Sequence, residues 1–444
     1  MIVDHRDIGA AFRRLSLPIA VSMLGDQLLG IVDTIAIGTL GAVQLAGATA
    51  ATTVMLALGF AMFGFSNGLG ILAAQRIGAH DLEGFAKTVR AGFVVPCACA
   101  LVFALLSIPF SGFVVAEMIG HLQSAHASSI YLVVRCFSLI PMMLSTVLVI
   151  ALGAAGNRVL GVTLLAVVNL VHIPLLFVLA LGLFTHHPLG IVGAGISSLL
   201  SETIAAIYGV WYVYKRPIYR IFESFTVDLR LAWESARLGL PEAVFLFAVI
   251  APDSFIVAML APLGAIAISA FRALNIVSDL TFAVPSPMQS AVQTVIGQRI
   301  GAGDVEGAKW FFTRSRAIAF RITAVTAIVT AALAWPLAYV FTLNAVVATA
   351  AAWPLVVQTV TLPLKGWAMV SMAPIRAAGD TRFSMTVGIV SSVLVVPLSF
   401  LFIKVLHIGL FGVPLAWVAA WIARLVLTSF KLRGESWTRR TLLS

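Results

Sequence analysis

Long apolar runs alternate with short polar breaks along the whole chain. The runs fall at roughly 16–39, 45–74, 91–115, 128–153, 159–184, 190–214, 238–261, 264–296, 317–341, 346–376, 383–406 and 408–430. Each reaches or exceeds the ~20 residues that an α-helix needs to cross a bilayer, and the longer ones leave room for tilt or kinking. The pattern predicts an all-α polytopic membrane protein of twelve transmembrane helices. Met1 to Arg14 is polar and of mixed charge, and the run behind it is too long for a signal peptide and lacks an Ala-x-Ala exit. The first helix is therefore expected to stay as an uncleaved anchor. Composition agrees: 61% of the residues are hydrophobic and 10% charged, an excess that a water-soluble core cannot absorb.

The runs repeat. Gln75-Arg76-Ile77-Gly78-Ala79 returns as Gln298-Arg299-Ile300-Gly301-Ala302, an offset of 223 (298 − 75). Asp81, Glu83 and Gly84 follow the first copy, and Asp304, Glu306 and Gly307 the second. The same offset relates Pro18 to Pro241, Gly41 to Gly264, Gly156 to Gly379 and Pro174 to Pro397. Several anchors at one spacing indicate a duplicated six-helix unit. An even number of spans gives both copies one orientation, so the expected architecture is two pseudo-symmetric six-helix lobes. The domain reading is 1–214 for the first lobe, 215–236 for a charged interlobe linker, and 237–444 for the second lobe with a short tail.

Basic residues set the expected orientation. Arg6, Arg13 and Arg14 precede the first span, and Arg76, Lys87, Arg90 and Arg158 lie in alternate loops. Lys215, Arg216, Arg220, Arg230 and Arg237 occupy the link between halves. Arg299, Lys309, Arg314, Arg316, Arg376 and Arg382 continue the series, and Lys431, Arg433, Arg439 and Arg440 end it. The opposite loops carry almost none, Lys404 being the nearest exception. By the positive-inside rule both termini are cytoplasmic. The net charge of +10 is spread over seven separate segments, which excludes a nucleic-acid stripe. Cys97, Cys99 and Cys136 sit in apolar runs and read as small hydrophobes, not as a disulfide frame or metal site.

An ionisable side chain in mid-bilayer costs at least ~2.5–3.5 kcal/mol and so marks a candidate site. In the first half these are Asp26 and Asp33 on span 1, His172 on span 5 and Glu202 on span 6. Asp26 and Asp33 lie two turns apart on nearly one face, about 10 Å along the axis. Asp26, His172 and Glu202 share a depth, which suggests an acidic cluster with a histidine beside it, suited to proton exchange. Asn169, Asn67, Thr34 and Gln27 are candidates for the lining of a substrate cavity. The second half is charge-balanced: Asp253, Asp279, Arg272 and Lys365 read as a structural network of compensating charges. Arg135 is expected to snorkel to the outer surface. Glu242, after Pro241, is expected only to open its helix. Pro18, Pro241 and Pro174 are candidate hinges, each removing one backbone hydrogen bond. Gly64, Gly68 and Gly70 have the spacing of close helix contact. Asp81/Glu83 and Asp304/Glu306 read as helix-start and turn chemistry.

These residues carry a resemblance. Leu17-Pro18, Leu28-Leu29-Gly30-Ile31-Val32-Asp33-Thr34, Ile37-Gly38 and Leu40-Gly41 resemble the first helix of the multidrug and toxic compound extrusion (MATE) transporters, in particular their DinF-like branch. The duplicated Gln-Arg-Ile-Gly-Ala loops are similar to that family's loops after helices 2 and 8. Ala154-Ala155-Gly156-Asn157-Arg158 and Ala377-Ala378-Gly379-Asp380-Thr381-Arg382 resemble its loops after helices 4 and 10. The resemblance covers essentially the whole chain. It implies export of amphipathic, often cationic, compounds in exchange for H⁺ or Na⁺, with Asp33 at the family's helix 1 aspartate and Glu202 at an acid of DinF-like members. His172 and Leu176 stand where the family often has Asn and Asp, Asp26 is an extra acid, and Lys365 replaces an acid that the NorM-like branch uses for Na⁺.

The expected function is therefore a H⁺-coupled antiporter of the inner membrane, less readily a Na⁺-coupled one, working as a monomer in the lipid bilayer. No enzyme activity, cofactor, metal or nucleic-acid partner is expected. A lipid-linked-sugar flippase would want a basic cavity, a major-facilitator transporter a Gly-x-x-x-Asp-Arg-x-Gly loop, and a membrane transferase acidic motifs at the surface; the sequence offers none of these.

Overall fold

A computed structural model of the chain describes residues 8–119, 125–183, 188–224, 226–438 and 441–442. Of the basic residues read above, Arg6, Arg439 and Arg440 lie outside them. The first half holds α1 (Ile8–Gly38), α2 (Ala42–Gly78), α3 (Leu82–Gly92), α4 (Val94–Ile119), α5 (Ala125–Ala154), α6 (Val159–Leu179) and α7 (Gly190–Tyr214). The second holds α8 (Leu229–Leu260), α9 (Ala265–Phe282), α10 (Pro285–Gly301), α11 (Val305–Ala332), α12 (Ala334–Thr342), α13 (Ala345–Thr359), α14 (Thr361–Ala377), α15 (Thr381–Phe400) and α16 (Gly412–Arg433). There is no strand among the described residues. The protein is a multi-pass, all-α membrane protein.

Eleven helical stretches among the described residues are long and apolar enough to cross a membrane. The remaining predicted span corresponds to α8, whose leading part carries Arg230, Glu234 and Arg237 and whose apolar stretch is Pro252–Leu263. Several spans are bent. The run 264–296 divides into α9 and α10 where Val284 precedes Pro285, which has no N–H to continue the ladder and instead opens α10 at its first position. α8 begins at Leu229, inside the segment read as linker, so Pro241 lies well within a helix. Glu242 is therefore not a helix-opening residue: it is buried, 2% exposed, in the interior of α8.

The duplication extends to individual hydrogen bonds. Arg76 Nη1 donates to Asp81 Oδ2 at 2.8 Å, and Arg299 Nη1 to Asp304 Oδ2 at 2.8 Å. Each aspartate then caps the next helix, accepting from Gly84 N at 2.7 Å and from Gly307 N at 2.9 Å. A Cβ at either glycine would strike the capping carboxylate. These acids thus do the helix-start work read from the sequence.

The chain forms two compact units, one of Val21–Ala243 and one of Met1–Ala20 with Val244–Ser444. α1 and α8 each run through a boundary, and the boundaries are themselves 223 residues apart (243 − 20). In the C-terminal unit Leu15, 1% exposed, packs in a core with Met288, Ala291, Val292 and Val295 of α10. In the N-terminal unit the corresponding crossing, α2 on α8, is made by glycine. A Cβ on Gly68 would strike the Ser235 carbonyl and the Gly239 amide, and one on Gly64 the Ala243 backbone. The small-residue spacing of α2 thus serves a backbone-to-backbone approach.

Candidate functional site

α1 is the least buried span, with 6% of its apolar window inside the protein. What holds it in the N-terminal unit is a short series of meetings with α6. Gly25 faces Leu165, leaving no room for a Cβ. Farther along, Asp33 meets His172, and beyond that Ala36 and Ile37 share a core with Leu176 and Ala180. The polar member of this series is short: His172 Nε2 and Asp33 Oδ1 are 2.7 Å apart. The imidazole is 2% exposed and the carboxylate side chain 29%. Pro174, two residues past His172 and within α6, lacks the N–H that would bond the Leu170 carbonyl, so α6 can bend beside the pair.

The geometry revises the pairing suggested by depth. His172 shares a level with Asp26 in the sequence, but its hydrogen-bond partner is Asp33. Glu202, half-buried on α7, lies within electrostatic reach of Arg135, Asp26 and His172. The acids and the histidine therefore belong to one electrostatic neighbourhood drawn from α1, α6 and α7. Arg135, on α5, was the residue left out. Its Nε is buried and without a partner. An arginine inside an apolar run was the available signal.

The other expected residues are placed less favourably. Asn169 spends its amide on the Leu165 carbonyl at 2.9 Å, and Thr34 spends its hydroxyl on the Gly30 carbonyl at 2.8 Å, each within its own helix. Gln27 is exposed and Asn67 half-buried on α2. In the C-terminal unit no ion pair among the described residues joins Asp253, Asp279, Arg272 and Lys365. Each of two charges takes a neutral partner instead: Asn275 Nδ2 donates to Asp253 Oδ2 at 3.3 Å, and Lys365 Nζ donates to Ser278 Oγ at 3.0 Å. Lys365 also stands 5.8 Å from the Trp421 ring centre, while Asp279 is within electrostatic reach of Lys365 and Arg272. Compensation there acts through the field and not by contact.

The first of these sites has the chemistry for proton exchange. A carboxylate and a neutral imidazole at 2.7 Å share one hydrogen-bond proton and carry one net negative charge, and a second proton at Nδ1 would turn them into an ion pair of zero net charge. Among the described residues no group of three or more His, Cys, Asp or Glu could hold a metal ion.

Comparison with known proteins places this arrangement. The model of the MatE family matches residues 18–178 and 243–401. The probable multidrug resistance protein NorM of Rhizobium meliloti is 26% identical over 309 residues, 67% of this chain and 65% of that protein. The chain thus spans about two thirds of that relative's length. Multidrug resistance protein MdtK of Yersinia pseudotuberculosis is 26% identical over 336 residues, 74% of this chain and 72% of that protein. Among solved structures, a MOP superfamily transporter from Pyrococcus furiosus superposes with a TM-score of 0.89 at 20% identity, covering 98% of this chain and 97% of that one. A MATE structure in complex with MaL6 gives 0.89 at 21% identity, covering 98% of each chain. These structures share the fold of this chain.

Proposed function

Since the chain belongs to the MatE family, we propose that it is a secondary active exporter, a proton-coupled antiporter of amphipathic, cationic compounds working by alternating access. Relatives named as multidrug resistance proteins support export of small molecules as the general activity. The coupling ion rests on one observation, the Asp33–His172 contact at 2.7 Å inside a lipid-spanning bundle. A sodium ion would want several oxygen ligands, whereas the partner here is an imidazole nitrogen, which exchanges protons near neutral pH. In this reading the protein sits in the inner membrane as a monomer with both termini cytoplasmic. The proton favours one of two states of the transporter, which is the condition for coupling. Asp26 and Glu202 supply the negative field that attracts a cation. A flippase for lipid-linked sugars would need a basic cavity, and the acids around His172 speak against it.

The test is export of fluorescent cations from proteoliposomes under an imposed pH gradient or an imposed Na⁺ gradient. The pH gradient should drive transport and the Na⁺ gradient should not. Asp33→Asn keeps an oxygen that accepts from the imidazole, so it should fold as the parent does and lose pH-driven transport. Undiminished transport by that variant, or equal driving by Na⁺ alone, overturns the assignment.

A further inference from the structure

We propose that Arg316 is a headgroup site for an anionic phospholipid, holding the lipid phosphate where α11 meets α14 in the C-terminal unit. α11 leaves its Asp304 cap as a polar helix and then turns apolar on its outer side, where Val325 and Ile328 are both exposed. Arg316 comes one turn before exposed Phe320, at the level where headgroups give way to chains. Its guanidinium carbon lies 4.5 Å from the centre of the Trp367 ring on α14 and 5.2 Å from that of Phe312 on its own helix. Each ring is braced by another. Trp367 meets Phe320 edge-on with centres 5.6 Å apart, and Phe312 meets the buried Trp437 at 6.1 Å. The guanidinium is thus held by aromatic faces, which attract its charge without taking its N–H donors.

The acids at this end of α11 are committed elsewhere: Asp304 to Arg299, and both Glu306 and Glu435 to Lys309. Among the described residues no carboxylate pairs with Arg316, and no acceptor takes its N–H groups. A planar fork of donors carrying a permanent charge matches a phosphate diester, which accepts two parallel hydrogen bonds. Charge selects the lipid class, since a zwitterionic headgroup brings its own cation to a site that already has one. Arg314 and Arg321 are exposed on the same helix and strengthen the local positive field. They stand on other sides of it, however, Arg314 being about 200° around the axis from Arg316. The repeat supplies a control. At the 223 offset from Phe312, Arg316 and Trp367 stand Val89, Phe93 and Leu144. A cation between aromatic rings is therefore not a requirement of the duplicated fold.

The experiment measures binding of dioleoyl phosphatidylglycerol and dioleoyl phosphatidylcholine to the purified full chain in detergent, by native mass spectrometry. The parent should prefer phosphatidylglycerol by about tenfold, the worth of one charge-assisted hydrogen bond. Arg316→Gln should abolish that preference, and Arg314→Gln should keep most of it. Trp367→Leu, which leaves the charge but removes one ring, should reduce the preference as well. Inorganic phosphate should not displace the lipid, because it has no chains to lie on α11. An Arg316 with only a structural role would lower the melting temperature of Arg316→Gln and leave the lipid ratio as in the parent. That result, equal binding of the two lipids by the parent, equal losses in Arg314→Gln and Arg316→Gln, or displacement by phosphate overturns the proposal.

Discussion

Asp33 and His172 stand where the second copy of the repeat, 223 residues on, has Ile256 and Val395, and those two are both 0% exposed in one apolar cluster. The same place in the duplicated fold is thus filled once by a hydrogen-bonded polar pair and once by hydrocarbon. Carrying the second solution into the first copy, as Asp33→Ile with His172→Val, is a sharp perturbation. Each single change strands a partner. His172→Val leaves the Asp33 carboxylate unpaired, and Asp33→Ile leaves a nearly fully buried imidazole with its Nε2 unmatched. Each should cost about 1–3 kcal/mol, the penalty of an unsatisfied buried polar group. The double change strands nothing, and should lie within about 1 kcal/mol of the parent, as replacement of buried pairs by packed hydrocarbon generally does. The double-mutant cycle should therefore return an interaction energy of about 2 kcal/mol or more. Unfolding of the purified proteins in mixed micelles by titration with sodium dodecyl sulfate measures it, and pH-driven export by the same preparations reads function. The double variant should be stable and inert. If its destabilisation equals the sum of the singles, or if it still exports along a pH gradient, the reasoning fails.

Two further outcomes follow from packing. Gly68→Val drives a side chain into the Ser235 carbonyl and Gly239 amide of α8; overpacking against backbone should cost about 1–3 kcal/mol or more. Gly30→Ala, with nothing within 4 Å, should leave stability unchanged or raise it by up to about 1 kcal/mol; equal thermal stability of the two variants in detergent would show that the α2–α8 crossing is not tight. Asp304→Ala removes both the Arg299 partner and the cap at Gly307 and should cost about 1–2 kcal/mol. Glu306→Ala, on the exposed pair with Lys309, should stay within about 0.5 kcal/mol, and a comparable loss in both would contradict the capping role.

The spans were legible because lipid imposes a length of apolar chain that no other environment demands. The leading part of α8 was not. Residues such as Arg230, Glu234 and Arg237 make it helical without making it apolar, so hydropathy placed its start too late and took Glu242 for a helix-opening residue. The α9–α10 bend at Val284 was also invisible to hydropathy, since losing one hydrogen bond at Pro285 does not change the apolar count. Among site residues, each intramembrane acid announced itself by its cost, but partners did not. Counting residues from the ends of α1 and α6 set His172 level with Asp26. The contacts at Gly25–Leu165 and at Asp33–His172 show the two helices meeting in a register that counting along separate helices could not supply. Position in a run gives depth and says nothing about which neighbour a side chain faces.

The duplication separates what the fold needs from what each copy does. The Arg76–Asp81–Gly84 and Arg299–Asp304–Gly307 turns keep the same hydrogen bonds in both copies, as they must where helix ends need satisfied backbone groups. Among ionisable residues inside the spans the correspondence is lost. Glu202 and Arg135 face Leu425 and Gln358 at the repeat offset, while Asp279 and Lys365 answer to Leu56 and Met142. Polar groups in lipid are costly enough that such one-sided retention points to work done by each set separately. In the N-terminal copy that work converges on α1. The boundary between the units crosses it at Ala20, two residues past Pro18, where its own hydrogen-bond ladder is already broken. Thirteen residues past that boundary, Asp33 supplies the hydrogen bond that ties this sparsely buried helix to α6. On the proposed mechanism, a proton exchanged at that bond therefore acts on a titratable contact of a helix otherwise held in this unit by a few apolar meetings with α6, which is how one proton can redirect a whole helix.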